Sequence, residues 1–208
     1  MNVVPATLTG IARAIHVLKE GGVIAHATET CYSLACDLTN PEAVARLFTI
    51  KQRPIDQPIS ALFSSIEEMK RYVVWNSRAD DLAKQYLPGP LTLILPLKKN
   101  VSLYSTPLSS LVPRPSNLGI RFSSHPIAQT LVKTFGAPIS TTSANIHGKP
   151  ETFSVQEIVE QFSMQKNQLD LIFESGVLPH ALPSTIVDLS GLEEKVLRMG
   201  TIIIETIP

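Results

Sequence analysis

Two cysteines, five histidines and one tryptophan among 208 residues leave little material for metal, disulfide or aromatic-stacking chemistry. Cys31 and Cys36 make neither a disulfide framework, which takes several cysteine pairs, nor a zinc site, which needs more ligands at tighter spacing. The histidines, at 16, 26, 125, 147 and 180, show no H-x-x-x-H or H-E-x-x-H spacing. Charge is also scarce, 17% against about 25% in an average soluble domain, and it cancels at 18 basic and 18 acidic residues. No apolar run approaches the roughly 18 residues of a membrane span, and the densest, Leu91–Leu97, follows Pro90 and contains Pro96. Met1–Ala6 lacks the basic and apolar regions of a signal peptide, so a soluble, reduced, cytoplasmic chain is expected. The phosphate loop G-x-x-x-x-G-K-[ST], the dinucleotide fingerprint G-x-G-x-x-G and the nucleophile elbow G-x-S-x-G are all missing. Any nucleotide must therefore be held by a less familiar arrangement.

What is present begins with a 44% hydrophobic content, enough to build a sizeable core. The balanced charge is also unevenly placed. Residues 1–149 carry fifteen basic and nine acidic side chains, a net of +6, and residues 150–208 carry three and nine, a net of −6. From Leu82 to Pro150 there are seven basic residues and no acid. That asymmetry hints at an anionic ligand, and solvated faces produce the same pattern.

Periodicity predicts a first helix capped by Thr9, with Ile11, Ala14, Ile15 and Leu18 on its inner face, ended by Gly21-Gly22. A buried strand, Val23–Ala27, follows. Asn40-Pro41 opens a second helix that must end before Pro54. Strands are expected at Ile59–Phe63, Leu91–Leu97, Leu118–Phe122, Pro138–Thr142, Leu169–Phe173, Thr185–Leu189, Val196-Leu197 and along the tail Thr201–Ile207. Capping-box spacing marks helix starts at Ser65 and Ser77, and further helices are expected at Pro126–Phe135 and after Ser154. Lys98–Asn117 reads as a long loop, of the kind that is functional or mobile. Alternating helices and strands without a repeat or linker predict one layered α/β domain over residues 1–208. Its sheet is mixed, because some connections are too short for crossover helices.

Four segments carry candidate chemistry. Lys51-Gln52-Arg53-Pro54 places two cations where a helix gives way to an extended segment, suited to gripping phosphate oxygens or to complementing the helix's own dipole. Ser140–Asn145 offers hydroxyls and an amide at a strand end, where open α/β sheets place ligands and where ordinary polar turns also occur. Arg121 lies in an apolar strand and needs a partner, either a ligand's carboxylate or an acid of the C-terminal third. Thr28-Glu29-Thr30 supplies two hydroxyls and a carboxylate after the first strand, or simply a turn. Cys31 is a nucleophile by type, but an apolar neighbourhood reads it as a core residue.

In order along the chain, these segments resemble the YrdC-like family, the threonylcarbamoyl-AMP synthases, in its short form. Ala27–Leu34 matches P-T-E-T-x-Y-G-L, Cys36-Asp37 a cysteine-aspartate step, and Asn40–Ala43 an N-P-E-A helix start. Lys51–Pro54 matches K-x-R-P, Pro88–Thr92 P-G-P-x-T, and Gly119–Arg121 G-[VI]-R. Thr142–Asn145 matches T-S-A-N, Ser184–Asp188 S-T-[IV]-V-D, and Val196–Gly200 V-L-R-x-G.

The resemblance implies a twisted mixed sheet flanked by helices. It implies an enzyme that forms threonylcarbamoyl-adenylate and pyrophosphate from L-threonine, bicarbonate or CO2, and ATP, for threonylcarbamoyladenosine in tRNA. By the same resemblance Lys51 and Arg53 are catalytic and bind ATP with Ser143, Asn145 and Arg198. Thr30, Arg121 and Thr141 bind threonine, and Mg2+ comes through the ATP phosphates. Partners would include a downstream transferase and possible tRNA or double-stranded RNA contact. Departures fall at Ala27, Ser33, Leu62, Asn117 and Glu151, where relatives carry proline, glycine, histidine and hydroxyl residues. The alternative is a non-catalytic RNA-binding or ribosome-maturation module using the same basic surface, which the 6% aromatic content disfavours.

Overall fold

A computed structural model describes residues 1–101, 103 and 114–205. Among the described residues there are ten strands: β1 Asn2–Pro5, β2 Ile24–Ala27, β3 Tyr32–Ala35, β4 Ser60–Leu62, β5 Leu91–Pro96, β6 Asn117–Arg121, β7 Ile139–Ser143, β8 Leu171–Glu174, β9 Thr185–Asp188 and β10 Lys195–Arg198. They form one sheet in the order β1-β8-β2-β3-β7-β4-β6-β5-β9-β10. Four neighbouring pairs along the row are parallel and five antiparallel, so the sheet is mixed as expected.

Among the described residues six helices form where capping and periodicity coincide: α1 Leu8–Lys19, α2 Pro41–Lys51, α3 Ile66–Tyr72, α4 Ser77–Tyr86, α5 Pro126–Phe135 and α6 Val155–Phe162. Asn40 caps α2 by accepting the N–H groups of Glu42 and Ala43, and Ser65 and Ser154 cap α3 and α6. Two caps differ from the sequence expectation. Thr7, not Thr9, accepts from the Gly10 N–H and starts α1 one turn's edge earlier. Asn76 accepts from the Ala79 N–H, so Ser77 is the first helical residue of α4. β1 was not foreseen because four mostly exposed residues carry no period. Among the described residues of the tail, 201–205, there is no strand; Thr206 and Ile207 lie outside them. The expected loop Lys98–Asn117 also lies largely outside, at residues 102 and 104–113, and Asn117 opens β6.

Strand alternation divides the side chains between two faces. One face carries Ala25, Leu34, Ala61, Leu93, Ile120 and Val187, and packs in one core cluster with the inner residues of α2, α3, α4 and α6. Among the described residues, cover on the opposite face extends over part of its width. There Ile24, Ala35, Leu62, Ile139, Leu171 and Phe173 pack against Ala14, Leu18, Ala128 and Leu131 of α1 and α5. Beyond that cover the same face turns polar, and a cavity opens on it. No described helix is long and apolar enough to cross a membrane.

Candidate functional site

Register explains how residues far apart in sequence share this cavity. Ser60 lies beside Thr141, and Arg121 lies between Leu62 and Thr92. Thr92 lies beside Ile186, which faces Arg198 across the last ladder. The cavity measures about 570 Å³ and takes its walls from β4, β5, β6, β7, β9, β10, the β2–β3 loop and the segment after α2. That size falls within the roughly 300–1,000 Å³ of small-molecule sites. Its floor is set by a missing side chain. A Cβ on Gly119 would lie 2.4 Å from Ser60 Oγ, so only glycine lets the Ser60 hydroxyl sit in the floor.

The α2 terminus sends its two cations to different places. Gln52 takes a left-handed conformation, φ 53°, and breaks the helix between them. Lys51, still helical, turns inward. Its Nζ donates to Ser143 O at 2.5 Å, Asn145 Oδ1 at 2.8 Å, Asn145 O at 3.0 Å and Ser143 Oγ at 3.4 Å. Burial, with the Arg53 charge adding to it, pushes the Lys51 ammonium down to about 7. Arg53 leaves the helix and lines the cavity, its Nε donating to Gln57 O at 3.0 Å and Nη2 to Pro58 O at 3.2 Å. Lys51 is thus a clamp behind the wall, and Arg53 is the cation at its surface.

The Ser143–Asn145 turn is held from several sides. Asn145 Oδ1 also accepts from Ser143 Oγ at 2.6 Å, and Asn145 Nδ2 donates to Lys149 O. Ser143 lines the cavity, whereas Asn145 is buried and does not. Arg198 lines the opposite wall, its Nε donating to Ser184 O at 3.0 Å and Nη2 to Ser184 Oγ at 2.9 Å. Ser184 in turn bonds Thr92 Oγ1 at 3.1 Å. The sequence motifs contained Ser184 and Thr92, but nothing in their spacing assigned them to Arg198.

Arg121 is paired within the chain, but not with an acid of the C-terminal third. Its Nη2 donates to Glu29 Oε1 at 2.9 Å and to Thr30 Oγ1 at 2.8 Å, both from the β2–β3 loop. Ninety-two residues separate this pair, so no local spacing could show it. Burial alone would raise the Glu29 carboxyl. The Arg121 charge and the hydrogen bonds from Ser123 and Arg121 outweigh it and hold the group below its ordinary value. Thr30 and Thr141 both line the cavity, and Thr141 Oγ1 lies 3.0 Å from Ser33 Oγ.

Other positions singled out by sequence sort clearly. Leu62 is fully buried beneath α1 and α5. Ala27 is core. Asn117 lines the cavity and donates to Ser190 Oγ at 3.0 Å. Glu151 lines the cavity and makes no hydrogen bond among the described residues, although its charge reaches Arg198 and Lys51. Cys31 lines the cavity, but burial pushes its thiol up to about 11, the wrong direction for a thiolate nucleophile. The described residues hold no group of three or more His, Cys, Asp or Glu able to bind a metal.

Comparison with known proteins shows what the chain is similar to. The Sua5/YciO/YrdC family model, described as telomere recombination, matches residues 16–200. A threonylcarbamoyl-AMP synthase of Photobacterium profundum is 32% identical over 93% of this chain and all of its own. The structure of Pyrococcus abyssi Sua5 complexed with L-threonine matches with a TM-score of 0.83 and 30% identity; the match covers 96% of this chain and 56% of that one. Escherichia coli YciO matches with a TM-score of 0.78 and 31% identity, over 91% of this chain and 88% of its own.

Proposed function

The chain belongs to the Sua5/YciO/YrdC family, and from that premise we propose that it is a threonylcarbamoyl-AMP synthase. It joins L-threonine, bicarbonate or CO2, and ATP into threonylcarbamoyl-adenylate with release of pyrophosphate, and the adenylate serves threonylcarbamoyladenosine formation in tRNA. The observation that carries this reading is one cavity walled by three arginines, each anchored through part of its guanidinium.

In the reaction the threonine amine attacks the carbon of CO2 and loses a proton. The resulting carbamate oxygen attacks the α-phosphorus, and pyrophosphate leaves. Such transfer depends mostly on position and on neutralising charge spread over phosphate oxygens. Arg53 and Arg198 face that charge directly. Ser143 supplies a hydroxyl beside it, and Lys51, tied to Asn145, holds the turn in place and adds a positive field from behind. Arg121, with Thr30 and Thr141 near it, takes the threonine carboxylate. A relative similar over nearly this whole chain was solved with L-threonine, which supports threonine as a substrate. Mg2+ arrives on the ATP phosphates, since the cavity acids Asp56, Glu151 and Asp188 form no cage. Glu151, an acceptor with no hydrogen-bond partner among the described residues, faces donors of the substrates rather than phosphate.

The test mixes purified protein with ATP, threonine and bicarbonate, follows pyrophosphate, and looks for the adenylate by mass spectrometry. Pyrophosphate that requires both threonine and bicarbonate is expected. Tight, salt-sensitive RNA binding with no such turnover would sink the reading in favour of an RNA-binding module.

A further inference from the structure

The three cavity arginines are anchored by different chemistry. Arg53 rests on two backbone carbonyls, and Arg198 on the carbonyl and hydroxyl of Ser184, so all their contact partners are neutral. Arg121 is held by the carboxylate of Glu29. That carboxylate is fixed on both oxygens: Oε1 takes Arg121 Nη2, and Oε2 takes the Ser123 hydroxyl. Ser123 Oγ also accepts the His125 N–H at 3.1 Å, which ties the group to the start of α5. The Arg121 and Glu29 side chains are 9% and 15% exposed. Arg121 Nε is buried without a hydrogen-bond partner, and Nη1 makes none among the described residues.

This arrangement has an electrostatic consequence. A guanidinium paired with a carboxylate keeps directed donors on its free edge but loses most of its net charge as seen from a distance. Those donors suit a carboxylate that forms close, planar hydrogen bonds. The cancelled charge offers little to a triphosphate, whose affinity depends on accumulated positive charge. Among the described residues Arg53 and Arg198 hydrogen-bond to no acid, and Glu151 reaches Arg198 only through space, so both keep most of that attraction.

We propose that Glu29 is a specificity-determining positioning residue: by pairing with Arg121 it reserves that end of the cavity for the single carboxylate of a zwitterionic amino acid and turns polyphosphate away. The proposal rests on reading the cavity as a threonine and ATP site.

The test uses the full chain and Glu29→Gln, which removes the charge while keeping size and hydrogen-bonding atoms. The KM for threonine should rise about tenfold while that for ATP changes by less than about twofold, as expected for losing one charge-assisted contact. Inorganic tripolyphosphate, a competitor of ATP alone in the parent protein, should become competitive with threonine as well. Glu29→Asp restores the charge and should abolish that new competition. Ser123→Ala, which frees one carboxylate oxygen but keeps the charge, should raise the threonine KM without creating the competition, and it serves as the second arm if Glu29→Gln does not fold. Equal rises in both KM values, or tripolyphosphate that still competes only with ATP in Glu29→Gln, overturn the proposal while leaving the function intact. Absence of threonine-dependent turnover in the parent protein overturns both.

Discussion

Beneath α1 and α5 the sheet presents Ile24, Ala35, Leu62, Ile139 and Phe173; farther along, the same face presents Ser60, Thr92, Gly119, Arg121 and Asp188. Both halves belong to one hydrogen-bonded row of strands. The first half buries apolar area under two helices and stabilises the fold. Among the described residues the second half has no such cover, and it keeps hydroxyls, carboxylates and guanidinium groups around an opening. Leu62 and Arg121 are register partners, one in each half, so the boundary between core and site is one strand spacing wide. A scaffold this continuous holds the site rigidly, since any displacement of β4 or β6 would disturb core packing.

Three perturbations break or sharpen that contrast. Phe173→Ala deletes a fully buried ring from the covered half and should cost about 3–5 kcal/mol of stability. Thermal and denaturant melts check this, and the threonine and ATP KM values of the folded protein should stay unchanged; a shift in either would show that the halves are coupled. Gly119→Ala acts in the open half, where the new methyl meets Ser60 Oγ. Turnover should fall about tenfold with a stability cost of about 1–3 kcal/mol, as for overpacking at a tight site. Ser60→Ala in the same chain should restore part of the activity, and failure to do so would move the floor of the site elsewhere.

The smallest effect concerns pH. Lys51 titrates near 7 in the folded protein, well below an ordinary lysine, so its charge is fully present below that value and lost as pH rises through it. Relative to Lys51→Arg, whose guanidinium stays charged, nucleotide affinity measured by calorimetry should fall about threefold from about pH 6 to about pH 8.5. Taking the ratio of the two proteins cancels the titration of ATP itself. A flat ratio would mean that the four oxygens around Lys51 keep it protonated throughout.

The helices illustrate what was legible without coordinates. Asn40-Pro41, Ser65, Pro126 and Ser154 begin helices because their side chains or rings satisfy the local geometry of a helix start. Site residues were legible as types: Lys51, Arg53, Ser143 and Arg121 each stood out against neighbouring residues. Their partners did not. Glu29 reads as part of a turn and Ser184 as a motif residue just before a strand, because each meets its arginine through the fold rather than through sequence distance.

The sequence by itself determined the alternation of helices and strands, the mixed sheet and the family, since these follow from local periodicity, capping and ordered motifs. The tertiary structure decided which cation faces the cavity. A single left-handed residue, Gln52, turns Lys51 into the wall and Arg53 onto it. It also decided that Arg121 is neutralised by Glu29 rather than by the acidic third of the chain. Charge pairing acts through space over a few ångströms, and only strand order and register bring residues 29 and 121 within that distance.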